Sequence, residues 1–413
     1  MILIAGAVLA VAVAAYVWLR PSSSPIRVGI LHSRTGPMAI SENSMVDGEL
    51  LAIEQINAAG GLLGRKLVAV IADGASNPPT FAREAERLIT QEKVDILVGC
   101  WTSACRKTVK PVIEKHNHLL VYPMAYEGLE QSPNIIYTGA APNQQIIPAL
   151  KWSFDNLGTK FFLVGSDYVW PHSINAIISD VLPALGATIV GEDYVFFGSS
   201  DVTHAIEAIK ATKPDVILSS VVGESNIAFY KALQEAGLTP DKMPVVSFSI
   251  GEEEVRALPK ASLVGQYSAW NYFQSMRTPE NDAFVAAFRA RYGANRVTSD
   301  VIETSYFSVM LWSKAVIEAG STQLSKVRPA MLGQSFSAPE GVVSIDAATR
   351  HTWRSFAMGK IRADGQIDVV WTSAKPIRPL PYPLTRGRRA WDTFLNDLYT
   401  RWGNAWANPV KAN

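Results

Sequence analysis

The sequence predicts an α/β protein built from doubly wound, mainly parallel sheets. Short apolar runs alternate with segments of helical spacing from residue 26 onward, and the same alternation starts again near residue 160. At 413 residues and 48% hydrophobic content, the chain suits two domains with sizeable cores. The net charge of +1 gives no electrostatic case for binding nucleic acid or an anionic membrane.

The first 25 residues form a segment of their own. An uncharged run begins at Ile2 and ends at Leu19, and a Pro/Ser linker follows Arg20. The run is at the lower limit for a membrane-spanning helix and long for the apolar part of a signal peptide. We therefore expect export to the periplasm, either with cleavage or with an uncleaved inner-membrane anchor.

Two α/β units follow the linker. In the first unit, predicted strands occupy residues 26–32, 66–72, 94–98, 119–122 and 135–138, with helices from about Ser44, at 80–91 and at 108–115. In the second, predicted strands occupy residues 160–164, 188–196, 216–222 and 245–249, with helices at 173–185, 202–212 and 227–236. Such regular alternation favours parallel strands with crossover helices.

The rest of the chain makes no third unit. Residues 279–292 and 300–319 have helical spacing, and residues 356–371 form a predicted hairpin around Asp364 and Gly365. Beyond residue 383, large apolar residues recur at helical spacing as far as Trp402. We expect this stripe to pack against the chain's own surface, and the alternative is a helix that docks on a partner.

The turn at residues 99–107 connects a buried strand to a helix and carries Trp101, Thr102 and Ser103. In open α/β sheets, ligands bind beyond the carboxyl ends of strands, next to unpaired helix N–H groups. A Trp face and two hydroxyls would form a small polar cradle there. The alternative is an ordinary Thr or Ser N-cap beside an anchoring Trp.

The chain has two cysteines, Cys100 and Cys105, which flank this turn. Two cysteines make neither a disulfide scaffold nor a cysteine-only zinc site, and no histidine pair supplies the missing ligands. A bridge between them is one alternative, but we expect two reduced, packed thiols. The sequence predicts no metal site and no cofactor.

Other predicted strands also end in aromatic or polar loops. If the two units face each other, these loops line one cleft with aromatic walls and a few hydrogen-bonding groups, which suits a small, neutral, polar ligand. The candidate residues outside the turn are Tyr122, Met124, Tyr168, Trp170, Ser249 and Glu252. The acidic run at residues 252–254 either caps the following helix or sends one carboxylate into the cleft.

No group of residues resembles an activated nucleophile with its base and orienting partner, and the standard phosphate-binding and nucleophile-elbow motifs are absent. The site is therefore predicted to bind and release a ligand, and the protein is predicted not to be an enzyme.

A series of motifs runs in order over most of the chain, at residues 99–107, 122–128, 132–135, 139–144, 164–168, 269–273 and 338–341. Through these motifs, residues 26–382 resemble the type I periplasmic binding proteins of the branched-chain amino acid and amide family. Within that family they are most similar to substrate-binding proteins of urea ABC transporters, and short-chain amide sensors are near relatives.

The resemblance implies two lobes joined by a three-strand hinge. Lobe 1 would comprise residues 26–142 and 276–345, and lobe 2 residues 143–275 and 346–383, leaving an aromatic tail at residues 384–413. It implies that the ligand contacts Trp101, Ser103, Tyr122, Met124 and Tyr168, and that Trp170 closes over it. The implied partners are urea or a short amide and an ABC transporter permease.

This chain departs from the family pattern at the site. Met124 stands where the amide sensors carry a hydroxyl residue and the urea proteins a small apolar one, and Trp101 stands where the sensors carry Tyr. These differences leave the choice between urea and another small amide or amidine open. The alternative function is a sensor whose closure on a ligand switches a protein partner.

Overall fold

The computed structural model describes residues 24–409, so the apolar N-terminal segment lies outside the described residues. The strands are β1 Ile26–His32, β2 Leu67–Asp73, β3 Ile96–Gly99, β4 Leu120–Tyr122, β5 Ile135–Tyr137, β6 Lys160–Ser166, β7 Thr188–Val195, β8 Val216–Ser220, β9 Val245–Ser247, β10 Tyr267–Trp270, β11 Ser335–Ala338, β12 Gly341–Ile345, β13 Thr352–Trp353, β14 Ala357–Ile361 and β15 Ile367–Thr372. The helices are α1 Ala39–Ala58, α2 Pro78–Thr90, α3 Ser103–Lys115, α4 Ile146–Asn156, α5 Val169–Ala184, α6 Thr203–Thr212, α7 Ser225–Glu235, α8 Glu252–Ala257, α9 Lys260–Leu263, α10 Pro279–Tyr292, α11 Asp300–Ala319, α12 Leu324–Ala330 and α13 Arg388–Arg401. Among these residues no helix is long and apolar enough to span a membrane.

Two large sheets organise the protein. The first has the strand order β2-β1-β3-β4-β5, and all its pairs are parallel. The second has the order β15-β14-β10-β9-β8-β6-β7, in which only β14 and β15 run antiparallel to their neighbours. A small antiparallel sheet, β11-β12-β13, lies beside them. The predicted doubly wound α/β fold is confirmed.

Helices cover the first sheet closely. On one face α1 packs against α11, and a Cβ atom at Gly48 would lie 2.4 Å from the Ile302 carbonyl oxygen. Only glycine permits that approach of the two backbones. Tyr306 Oη donates to Gln55 Oε1 at 2.7 Å across the same contact.

The chain passes between the two large sheets three times: after β5, after β10 and before β14. Side-chain amides join these passages. Asn271 Nδ2 donates to the carbonyl oxygens of Gln144 at 3.1 Å and Ser355 at 2.5 Å, and Gln144 Nε2 donates to Thr352 O at 2.9 Å. The three passages are therefore held together at one point between the sheets.

Some elements differ from their predicted form. α1 begins at Ala39, five residues before the predicted start, and α4 was not predicted at all. Pro148 lies in the first turn of α4, where its missing N–H is not needed. Beyond residue 383 the apolar stripe forms α13 and buries Trp391 and Leu398, which confirms packing on the chain's own surface.

Candidate functional site

A disulfide between Cys100 and Cys105 closes the turn that follows β3. The prediction of two reduced thiols was therefore wrong. The first turn of α3 brings Cys105 back towards the end of the strand, and the two Cα atoms lie 6.6 Å apart, within the range that a disulfide bridges. Sequence spacing alone did not reveal this return. The bridge encloses Trp101, Thr102 and Ser103.

Both hydroxyls of this turn have partners within the chain. Thr102 Oγ1 accepts a hydrogen bond from the Cys105 backbone N–H at 3.1 Å, so Thr102 is the N-cap of α3. Ser103 Oγ donates to the Glu127 carboxylate and accepts from Arg106 Nη1 at 3.0 Å. The N-cap interpretation therefore holds for Thr102, and Ser103 belongs to an ionic network.

That network is a buried ion cluster formed by Arg106, Lys107, Glu127 and Glu130. Arg106 Nη2 lies 2.7 Å from Glu127 Oε1, Arg106 Nε lies 3.1 Å from Glu130 Oε1, and Lys107 Nζ lies 3.4 Å from Glu130 Oε2. Burial lowers the pKa of Arg106, but the two carboxylates raise it well above its ordinary value. None of the four is among the predicted site residues, although Arg106, Lys107 and Glu127 fall within the motifs that carry the family resemblance.

Tyr122 is the last residue of β4, the strand beside β3, and Met124 follows that strand. Tyr122 Oη donates to the Trp101 carbonyl oxygen at 2.5 Å, and the Arg106 guanidinium lies 5.0 Å from the Tyr122 ring centre. Met124 is buried, and a Cβ atom at Gly139 would lie only 1.9 Å from its carbonyl carbon. The hydrogen bond of Tyr122 and the close approach of Gly139 therefore fix the backbone at the end of β4.

Tyr168 and Trp170 come from the second sheet, at the start of α5. Their ring centres are 6.3 Å apart, and both side chains are buried. Burial raises the pKa of Tyr168 well above its ordinary value, and Tyr122 and Glu127 raise it further. Helix α5, which begins directly after Tyr168, contacts α3, which begins at Ser103. The structure thus places Trp101 and Tyr122 in contact beside Ser103, and the helix that follows Tyr168 packs against the helix that follows the Trp101 turn.

The beginning of α1 also lies against the second sheet's loops. The Glu224 backbone N–H donates to Pro37 O at 3.1 Å. A Cβ atom at Gly223, whose φ is +63°, would lie 2.6 Å from the same oxygen. Helix α8 contacts α1, and burial raises the pKa of its Glu254 to about 7, a rise that the nearby Ser41 hydroxyl opposes. These contacts close the cleft between the two sheets.

Ser249 and Glu252 lie in different places. Ser249 Oγ donates to Val221 O at 2.5 Å, and Asn226 Nδ2 donates to the same oxygen at 2.9 Å, so Ser249 adjoins the loop that meets α1. Glu252 Oε1 accepts from Gln274 N at 2.6 Å, and its side chain lines a separate cavity of ≈ 470 Å³. Burial raises the pKa of Glu252 to about 8.

The acids of the run at residues 252–254 therefore have different roles. Glu254 accepts from the Gly251 backbone N–H at 2.9 Å, which caps α8, and it also faces Ser41. Residues two apart on a helix point to nearly opposite sides, which is why Glu252 and Glu254 diverge. Glu254, rather than Glu252, is the acid of this run that meets α1.

His32, at the end of β1, fixes a further carboxylate beside the cleft. Its Nε2 lies 2.8 Å from Glu49 Oε1 and its Nδ1 lies 3.4 Å from Glu42 Oε2, while Ser33 N donates to Glu42 Oε2 at 2.8 Å. Burial would lower the pKa of His32, but Glu49 and Glu42 raise it to about 9. Glu42 is thereby held in one position.

Several buried polar atoms near the cleft have no hydrogen-bond partner among the described residues. They include one acid or amide oxygen each of Glu42, Asn226 and Glu254, the indole nitrogen of Trp170, and the hydroxyls of Ser41 and Ser225. Buried polar groups are normally satisfied, so these atoms are candidates for ligand contact. Within residues 24–409 no cluster of His, Cys, Asp and Glu has the arrangement of a metal site.

Residues 26–388 match the family described as periplasmic binding protein domain, and the chain belongs to this family. It is 22% identical over 388 residues to Leu/Ile/Val-binding protein homolog 7 of Brucella melitensis, covering 88% of this chain and 95% of that protein. It is 23% identical over 343 residues to the leucine-, isoleucine-, valine-, threonine- and alanine-binding protein of Pseudomonas aeruginosa, covering 82% and 90%. These relatives are solute-binding proteins, not enzymes.

A shorter match has an enzyme's name. The chain is 34% identical over 117 residues to limonene hydroxylase of Geobacillus stearothermophilus, which covers 28% of this chain and 21% of that protein. Because the alignment covers so little of either chain, it gives no information about the activity of this protein.

Solved structures share the fold. The solute-binding protein of an ABC transporter from Rhodopseudomonas palustris BisB5, in complex with 3,4-dihydroxybenzoic acid, has a TM-score of 0.77 at 21% identity, covering 86% of this chain and 99% of that one. An amino acid ABC transporter substrate-binding protein from Pseudomonas fluorescens Pf-5 has a TM-score of 0.76 at 19% identity, covering 87% and 98%. The protein thus has the two-lobed type I fold, and family membership implies a periplasmic location.

Proposed function

We propose that this protein is an extracytoplasmic receptor that binds urea or a similar small amide between its lobes and delivers it to an ABC transporter permease. The proposed lobes are residues 26–142 with 276–345 and residues 143–275 with 346–383. The proposed ligand contacts are Trp101, Tyr122, Met124, Tyr168, Trp170, Glu42, Asn226 and Glu254.

The polarity of the unpartnered atoms carries the proposal. Three of them, on Glu42, Asn226 and Glu254, are acceptors when the acids are ionised, the Trp170 indole is a donor, and the Ser41 and Ser225 hydroxyls can be either. Urea presents four N–H donors and one carbonyl acceptor, and this mixed set of acceptors and donors can pair with both kinds of group. Aromatic side chains on both sides of the cleft would exclude water from such a ligand.

The same charges argue against a carboxylate ligand of the kind named for the related structures. An aromatic acid would meet Glu42, Glu127 and Glu254 in the cleft. The cation nearest the Trp101 turn, Arg106, is already paired with two carboxylates. A carboxylate would therefore enter without a free cation to stabilise it.

The direct test is calorimetric titration of the purified chain with urea, acetamide and benzoate. Urea has four heavy atoms, and a ceiling of about 1.5 kcal/mol per atom gives roughly 6 kcal/mol, or a dissociation constant of some tens of micromolar. We expect binding of urea at micromolar to tens-of-micromolar affinity. Preference for acetamide would favour the amide-sensor function, and binding of benzoate alone would overturn the proposal.

Variants locate the site. Trp101→Ala should abolish urea binding, and Tyr168→Phe, which removes one hydroxyl, should weaken it by about tenfold. The matched control is Trp371→Ala, since Trp371 is 42% exposed on the edge strand β15. Equal affinity in Trp101→Ala and Trp371→Ala would refute the assigned site.

A further inference from the structure

The segment after α13 returns to the cleft. The chain just before α13 is anchored on α5 through Arg386, whose Nε and Nη2 each lie 2.8 Å from an Asp180 carboxylate oxygen. At the end of α13 the Trp402 ring packs edge-on against His172, with 5.0 Å between the ring centres. Residues 402–408 then run along the start of α5 towards Tyr168.

This segment holds the backbone on both sides of Tyr168. The Asn408 backbone N–H donates to Asp167 O at 3.0 Å, and Asn408 Nδ2 donates to Asp167 Oδ2 at 2.6 Å. On the other side, the Val169 N–H donates to Trp406 O at 3.0 Å. The first N–H groups of a helix have no partner within the helix, so residue 406 completes the N-terminus of α5.

The same segment also contacts the first α/β unit. Lys107 Nζ, on α3, lies 4.8 Å from the centre of the Trp406 ring. Trp406, Pro111 and Leu129 line a cavity of ≈ 450 Å³ between α3 and α13. The backbone of Trp406 is thus bonded to the unit that carries Tyr168, while its ring packs on the unit that carries Trp101.

We propose that residues 402–408 form a C-terminal clasp that positions the Tyr168 turn and favours the closed arrangement of the two units. Trp406 and Asn408 are its positioning residues. The part of this inference that concerns affinity rests on the proposed function, whereas the part that concerns closure does not. A protein that spends less time closed binds its ligand more weakly in proportion to the closed fraction.

The test compares full-chain Trp406→Ala and Trp406→Phe with the control Trp371→Ala. Two measurements need no ligand: hydrogen exchange of the peptide spanning residues 167–170, and the radius of gyration from small-angle X-ray scattering. We expect faster exchange and a larger radius in Trp406→Ala only. Urea affinity should fall by roughly three- to tenfold in that variant and be mostly retained with phenylalanine, because a ring over Lys107 is preserved.

If Trp406→Ala does not fold, Asn408→Ala provides the second test. It is a milder change, because it removes one side-chain hydrogen bond at a half-buried position. It should speed exchange at residues 167–170 and weaken urea binding by about two- to fivefold. Unchanged exchange and an unchanged radius in the folded variants would overturn the clasp. If hydrogen exchange and the radius of gyration both change in the variants but the unsubstituted protein does not bind urea, the clasp proposal is supported and the urea proposal is refuted.

Discussion

Replacing Arg106 by methionine tests whether the ion cluster behind the Trp101 turn holds the candidate site together. The guanidinium is fully buried, and it contacts Glu127, Glu130 and the ring of Tyr126, whose centre lies 4.3 Å away. Arg106→Met leaves two buried carboxylates with Lys107 as the nearest cation, 3.4 Å from one and 3.8 Å from the other. Breaking a buried pair in this way costs about 3–5 kcal/mol.

Differential scanning calorimetry measures the loss. At about 2–4 °C per kcal/mol for domains of this size, the melting temperature should fall by roughly 6–20 °C. Adding Glu127→Gln to Arg106→Met should recover part of the loss, because one uncompensated charge disappears. The control is Arg291→Met, whose ion pair with Glu54 is exposed, and there we expect a change within about 2 °C. A similar small change in Arg106→Met would refute the reasoning.

Three further predictions concern other parts of the protein. The pKa of His32 is about 9 in the folded protein and 6.5 in the unfolded chain, so its contribution to the free energy of unfolding is complete below about pH 6.5 and is lost towards pH 9. Thermal unfolding should show a loss of up to roughly 3 kcal/mol over this pH range, and the loss should be absent in His32→Gln. Burial raises the pKa of Glu252 to about 8, so ionising this side chain destabilises the folded protein at pH 8 but not at pH 4; Glu252→Gln should therefore raise the melting temperature only at pH 8. The same variant should leave urea affinity unchanged, and an altered affinity would show that Glu252 belongs to the site. Gly139→Ala should destabilise the protein by about 3 kcal/mol and weaken urea binding, because the new methyl meets the Met124 backbone, and normal melting would contradict this.

Local patterns were sufficient for the fold and for the aromatic half of the site. Strand-helix alternation identified both sheets, and Trp101, Tyr122 and Tyr168 could be grouped because each lies at or just beyond the carboxyl end of a parallel strand. The carboxyl ends of such strands meet at one edge, so their loops converge without any knowledge of side-chain packing.

The remaining features of the site could not be predicted, because they depend on the direction of side chains and on contacts between residues far apart in the sequence. The bridge between Cys100 and Cys105 depends on how the first helical turn points, and the choice between Glu252 and Glu254 depends on helical phase. Glu42 reaches its position because His32 binds it from another element, and Trp406 reaches Lys107 from 299 residues away. No local pattern encodes these partners.

The contact between α1 and α11 dictates an order of events during folding. The two helices are separated by about 240 residues of sequence, so α1 cannot bury the face around Gly48 until α11 has been synthesised. The second sheet, apart from β14 and β15, is formed from the residues between them and can assemble earlier. A nascent chain therefore carries an uncovered apolar helix face for most of its synthesis, and such a surface is prone to aggregation until its partner helix emerges.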